Sequence, residues 1–300
     1  MKKFLLHIAS LALMTVLIMS VLDFGYTYVY MNSKPRTKYQ VLRSLKNQKF
    51  DYAFLGSSRV YNTIMPSIIK ERTGKDAINM AFTASHLHDI YTVLKLFKAY
   101  HIKTEKIFIQ VDNSFNIDGK SNILEYQIIP FLRENEATKA HFKTYSNLPF
   151  LYYVPFYRYC LYDQKIGFRE VFNNLYGKST DCADDLGFKA EHDGNGIDNK
   201  YALPTKINTR NIIFDSIKKY SANHNIDVIY FCAPYYKETK NLDFVGKLKS
   251  KIPELIDYSN AVEDGKMFLD NSHVNDIGAR YFTNYLVDDL NRRKIMHPVK

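Results

Sequence analysis

Three polar residues have the types and spacing for nucleophilic chemistry: Ser58 near the start of the chain and the Asp270/His273 pair near its end. A serine hydroxyl is a weak nucleophile until a base takes its proton, and the base works best when a third group orients it. In Asp270-Asn271-Ser272-His273 a carboxylate precedes an imidazole by three residues, just ahead of a helical pattern. A turn there lets Asp270 hold the Nδ1–H of His273, leaving the other ring nitrogen free to face a serine. The same pair also reads as a helix cap beside a surface histidine. Gly56-Ser57-Ser58-Arg59 follows an apolar run, where glycine permits a tight turn and a serine can be presented. Arg59 could meet an anionic group of a substrate or tie down that turn. Asp112 could orient Asn113 or accept a backbone hydrogen bond. His86 and His88 are two apart and do not share a helix face, which argues against a metal site.

These residues need a scaffold that brings distant segments together. Short apolar runs at 51–57, 77–82, 106–111 and 227–233 read as buried strands, with a short fifth at 256–258. Between them 64–73, 87–101, 207–224, 242–251 and 276–292 carry helical spacing. Near-continuous apolar strands alternating with helices imply a parallel sheet covered on both faces. Ligands of such sheets bind outside the carboxyl ends of the strands. Gly56-Ser57-Ser58 and Asn113 follow predicted strands and Asp270/His273 lies in the C-terminal connecting loop, so all can converge on one edge. Residues 114–205 are Tyr/Phe-rich and irregular, punctuated by runs such as Asp193-Gly194-Asn195-Gly196, and read as a long insertion with some helices.

Residues 4–22 form an almost uncharged run after Met1-Lys2-Lys3, and roughly 20 such residues span a hydrocarbon core. A cleaved signal peptide has a shorter apolar region and a small-x-small site. Here the run continues into Asp23, Tyr26, Tyr28 and Tyr30, tyrosines suited to a membrane interface. An uncleaved single-pass anchor over 1–30 is therefore expected, with a polar, basic linker over 31–48 that enters a first helix and leads to a domain over 49–300. Charge leaves its orientation open, because Lys2 and Lys3 oppose Lys34, Arg36 and Lys38.

The net charge of +10 comes from residues spread along the chain, without the basic block of a nucleic-acid arm. A solvated surface beside a membrane accounts for it, and no nucleic-acid partner is expected. Tyr (24) and Phe (20) are abundant and Trp is absent; the aromatics suit a core and also sugar recognition. Cys160, Cys182 and Cys232 lack metal-type spacing. Cys232 reads as a buried thiol, and Cys160 could pair with Cys182 outside the cytoplasm.

In order and strand context, Gly56-Ser57-Ser58, Asn79 to Ala84, Asn113 and Asp270/His273 with Gly278 resemble the blocks of the SGNH (GDSL-like) hydrolase superfamily. The resemblance is to its membrane-anchored branch acting on cell-envelope polymers, and it covers about 51–113 and 226–292. It implies a three-layer α/β/α sandwich with a parallel, flavodoxin-like sheet. It implies Ser58 as nucleophile, with Ser57 the fallback, His273 as base and Asp270 as its orienting acid. Ser57 stands where the family has Asp, which is not the triad acid, and Ala84 stands where it has Gly. Oxyanion donors would be the N–H groups of Ser58 and Ala84 and the side chain of Asn113, whose Gly-x-Asn-Asp surroundings are absent here. The implied activity is an extracytoplasmic O-acyl esterase or acyltransferase on a cell-surface polysaccharide or envelope polymer. The cytoplasmic membrane, the acylated glycan and a membrane acyl-donor protein are its partners, and no cofactor or metal is expected. The alternative is a catalytically inactive SGNH-fold protein of envelope assembly or polysaccharide binding.

Overall fold

Apolar residues on both faces of a strand can be buried only if both faces of its sheet are covered, and the longer strands of this chain meet that condition. The computed structural model describes residues 1–182, 184–192, 196–198 and 200–296. Its strands are β1 (Lys49–Leu55), β2 (Ala77–Asn79), β3 (Lys103–Gln110), β4 (Val228–Cys232) and β5 (Ile256–Asp257). They form one sheet in the order β2-β1-β3-β4-β5 with every pair parallel. The order reverses between β1 and β3, and such switch points open a crevice at the carboxyl ends of the strands.

The helices are α1 (Lys2–Asn32), α2 (Lys38–Ser44), α3 (Ser58–Tyr61), α4 (Pro66–Thr73), α5 (Leu87–Ala99), α6 (Asn122–Ile128), α7 (Glu136–His141), α8 (Leu148–Tyr153), α9 (Tyr157–Leu161), α10 (Asp163–Ile166), α11 (Phe168–Leu175), α12 (Ile212–Asn223), α13 (Phe244–Lys251) and α14 (Asp276–Arg292). Side chains alternate across the sheet. Ala53, Leu55, Ile107 and Ile109 join Leu42 of α2, Leu94 of α5 and Ile217 of α12 in one cluster. Tyr52, Phe54 and Phe108 join Ile69 of α4 and Phe282 of α14 in a second. Each fully buried large side chain contributes roughly 1.5–3 kcal/mol.

Several element boundaries differ from the sequence expectation. β2 stops at Asn79, although Met80 and Phe82 N–H still bond to the Phe54 and Gly56 carbonyls at 2.8 and 3.1 Å. α5 ends at Ala99, and His101 just beyond it takes a left-handed φ of 55°. α12 begins at Ile212 because the Asn211 side chain caps the N–H groups of Ile213 and Phe214. The first helix expected within 31–48 is α2, with Lys38, Tyr39, Gln40 and Leu42 buried. α2 starts from a capping box between Thr37 and Gln40.

The stretch 114–205 contains α6 to α11, and its Leu124, Ile128, Phe131 and Tyr159 enter the first cluster. Asp193, Gly194 and Asn195 lie outside the described residues. All three cysteines are free, so Cys160 and Cys182 do not pair; Cys182 and Cys232 are buried.

α1 is long and apolar enough to cross a membrane, a property that a signal sequence shares. Its two thirds up to Leu22 are largely exposed, whereas its end is built into the domain. Asp23 accepts from Arg133 Nη1 at 2.7 Å and pairs with Arg158 at 3.1 Å. Tyr30 is buried and donates to the Ile166 carbonyl at 3.0 Å.

Candidate functional site

The carboxyl ends of β1, β2 and β3 lie side by side, and their following turns build one edge of the molecule. β1 runs into Gly56-Ser57 and then α3, whose first residue is Ser58. A Cβ on Gly56 would stand 2.5 Å from both Gln110 Oε1 and Val60 Cγ2, so glycine is required by close approach. Its φ is not left-handed, and space rather than handedness is the reason for it. The Ser57 N–H and hydroxyl both donate to Gln110 Oε1, at 2.8 and 3.0 Å. Ser57 Oγ also accepts from the Arg59 N–H as the cap of α3. Ser57 is thereby turned onto β3, and Ser58 is the serine facing a base.

Ser58 Oγ lies 2.8 Å from His273 Nε2. His273 Nδ1 lies 2.9 Å from Asp270 Oδ2 and 3.1 Å from Oδ1. With the Nδ1 proton directed at the carboxylate, Nε2 accepts from the Ser58 hydroxyl. The loop holding this pair is locally determined. Asp270 Oδ1 accepts from the N–H groups of Ser272 and His273 at 2.7 and 2.9 Å and from the Ser272 hydroxyl at 3.0 Å. Phe268 and Val274 close the loop as an antiparallel bridge. Asn275 caps α14 through the Gly278 N–H at 3.0 Å, and a Cβ on Gly278 would meet the Met267 carbonyl at 2.3 Å. Burial pushes the Asp270 carboxyl up, but hydrogen bonds from His273 and Ser272 outweigh it and hold it at about 2. Asp270 is therefore an anion at neutral pH and stabilises an imidazolium when one forms.

Arg59 does not face outward. Its guanidinium is buried and donates to Asp112 at 2.6 Å, the Ser272 carbonyl at 3.1 Å and the Ala233 and Pro234 carbonyls at 2.7 Å each. It stacks 3.5 Å from the Tyr235 ring centroid. One side chain thus ties the turn after β1 to the ends of β3 and β4 and to the Asp270/His273 loop. The reading as a substrate contact gives way to that of a structural clasp. Asp112 uses its other oxygen on the Ser114 N–H at 2.9 Å, the backbone role foreseen for it, and also accepts from Gln110 Nε2 at 2.5 Å.

Asn79 is buried and donates to the Val60 and Ile64 carbonyls at 2.8 and 2.9 Å, fixing the chain just beyond α3. Ala84 sits in an exposed turn with φ 55°, the left-handed conformation for which glycine is the easy choice. Among the described residues the backbone N–H groups of Ser58 and Ala84 have no protein hydrogen-bond acceptor. The half-exposed side chain of Asn113 likewise has no protein partner. β1 lies between β2 and β3, so the turns carrying Ala84 and Asn113 flank Ser58 on its two sides.

His86 caps α5, and burial lowers it; burial also lowers His88, to about 4. Among the described residues no group of three or more His, Cys, Asp or Glu is disposed to hold a metal ion. Beside α3 a cleft of about 560 Å³ opens between Tyr61 and Asn62, the Phe82-Thr83 turn, and Tyr126 and Gln127 of the insertion. Lys38 lines it from within, buried, donating to the Gly187 carbonyl and lying 3.9 Å from the Tyr61 ring centroid.

That Arg59 ties down the turn was one of its two open readings, but its partners Asp112, Ala233, Pro234 and Ser272, the part of Gln110 and the position of Tyr235 were not foreseen. Only the nearness of Arg59 to Ser58 and of Asp112 to Asn113 hinted at them. No protein-family model matches the chain, and no curated protein matches it in sequence.

Proposed function

We propose that the chain is a membrane-anchored serine O-acyl esterase or acyltransferase of SGNH type, with a three-layer α/β/α domain outside the cytoplasm acting on a cell-surface polysaccharide or envelope polymer. The observation that carries this reading is the unbroken relay from Ser58 Oγ to His273 Nε2 at 2.8 Å and from His273 Nδ1 to Asp270 at 2.9 Å. Ser58 attacks an acyl-ester carbonyl while His273 takes its proton. The tetrahedral oxyanion forms where the N–H groups of Ser58 and Ala84 and the Asn113 amide remain available. The intermediate collapses with His273 returning the proton to the departing alcohol oxygen, leaving an acyl group on Ser58. Water or a sugar hydroxyl, deprotonated by His273, then takes the acyl group and restores the serine. Hydrolysis and transfer differ only in that last acceptor.

The cleft beside α3 is the natural seat for the polymer, because the part-exposed rings of Tyr61 and Tyr126 and the polar side chains of Thr83 and Gln127 line it. The α1 helix supports an anchor rather than a removed leader, since the apolar run continues without a break into Asp23 and Tyr30, which the domain holds through two arginines and the Ile166 carbonyl. The test is covalent labelling of the full-length protein with a fluorophosphonate. Labelling that disappears in Ser58→Ala supports the enzyme. Equal labelling of wild type and Ser58→Ala would refute it, and an unlabelled wild type would favour a polymer-binding role.

A further inference from the structure

The end of α1 and the insertion enclose a crevice that the proposed chemistry leaves unused. It measures about 510 Å³ and is lined by Ser20, Asp23 and Phe24 of α1 and by Arg133, Tyr153 and Arg158 of the insertion. At 1.5 Å per residue, the apolar run from Phe4 to Leu22 is about 28 Å long, close to the thickness of a hydrocarbon core. A membrane-spanning α1 therefore puts Ser20 to Phe24 at the head-group level, and the crevice opens there.

Three observations describe what fits it. Phe150 and Tyr153 of α8 are 55% and 74% exposed, large aromatics facing outward beside an apolar helix, as in an interfacial belt. Arg133 and Lys139 lie over the Tyr152 ring at 5.9 and 4.9 Å, bringing positive charge to the same rim. Arg158 is 1% exposed, and its Nη2 bonds to Thr27 at 2.7 Å and to Asp23. Among the described residues, however, its Nε and Nη1 have no hydrogen-bond partner, and an unpaired buried donor costs on the order of 1–3 kcal/mol. A phosphate is the group that satisfies a guanidinium fork in this setting.

We propose that this crevice is a phospholipid site: a head-group phosphate meets Arg133 and Arg158, acyl chains lie along the exposed face of α1, and Phe150 and Tyr153 rest in the interface. The proposal uses the reading of α1 as a membrane anchor. It makes α8 and α9 a foot on the bilayer and sets the domain at a fixed depth.

The chain contains no tryptophan, so one introduced residue reports alone. Full-length Leu11→Trp and Tyr153→Trp proteins are placed in nanodiscs containing phosphatidylglycerol and phosphatidylcholine brominated near the top of its acyl chains. Tyr281→Trp, on α14 packed against α4, gives the solvent baseline. The expected result is quenching of Leu11→Trp, and blue-shifted, quenched emission from Tyr153→Trp. Solvent-like, unquenched emission from Tyr153→Trp with Leu11→Trp quenched would overturn the lipid site alone. Leu11→Trp left unquenched would overturn the anchor reading itself. Native mass spectrometry separates the sources of phosphate. Retained phosphatidylglycerol that inorganic phosphate does not displace, and that Arg133→Gln loses, supports the site. Lipid retained equally by Arg133→Gln, or displaced by inorganic phosphate, refutes it.

Discussion

Replacing Arg59 by methionine keeps most of the side-chain volume but removes the charge and every donor. The buried carboxylate of Asp112 loses its 2.6 Å partner, and three carbonyls, those of Ala233, Pro234 and Ser272, lose theirs. Breaking a buried ion pair on one side costs about 3–5 kcal/mol. The three carbonyls can add to this, although bound water would satisfy some of them. The expected loss is therefore about 5 kcal/mol, which lowers the melting temperature of a chain this size by on the order of 10 °C. Thermal unfolding of the detergent-solubilised full-length protein measures it. Removing the stranded charge as well, in Arg59→Met/Asp112→Leu, should restore about 1–3 kcal/mol of the single-variant loss. The carbonyls stay without donors, so recovery is incomplete. An Arg59→Met protein that melts like wild type but loses affinity for anionic substrates would refute the clasp and reinstate Arg59 as a substrate contact.

Asp270→Asn should lower the rate of acyl transfer by about 10⁴-fold, because an amide nitrogen facing His273 Nδ1 favours the wrong tautomer; initial rates on an activated ester decide this, and a loss under tenfold would refute it. Asp270 also links stability to acid. Its folded pKa of about 2 lies below the ordinary 3.8, so its contribution is present above about pH 4 and is lost as pH falls toward 2. Partial exposure trims that contribution to about 1–2 kcal/mol, and denaturant titrations should show a steeper acid loss for wild type than for Asp270→Asn. Ala84→Gly should retain full fluorophosphonate labelling, since glycine adopts φ 55° freely and supplies the same N–H. Lost labelling would mean that the methyl group at position 84 is needed.

What could be read from the sequence is what depends on neighbours. Asp270 and His273 are three residues apart and are oriented by bonds within their own loop, so their pairing was visible in the spacing. The boundaries of α14 followed from its amphipathic pattern, and the apolar runs of β1, β3 and β4 announced a sheet covered on both faces. For Arg59 the sequence left a substrate contact and a tie on the turn equally open, because its acceptors sit at positions 112, 233, 234 and 272, and only the folded sheet brings them to one guanidinium. Gly56 was noticed for its flexibility, whereas its hydrogen is needed to admit Gln110, a residue on another strand. Ala84 could not be recognised as left-handed, since alanine carries a steric cost there that only its context explains. Lys38, counted as a flanking surface charge, lies buried under Gly187 because α2 packs into the core.

The short stretch between α1 and β1 changes how such an enzyme would meet its polymer. A slack tether would let the domain sweep a volume and sample strands at many heights. Here α2 is packed into the core, Arg36 pairs with Glu170 at 2.8 Å, and Asp23 is clamped by two arginines. With α1 as an anchor, a mount of this stiffness would hold Ser58 at one altitude above the bilayer. Such an enzyme would be a fixed tool past which a polymer is drawn, and the pattern of modification would be set by the motion of the polymer.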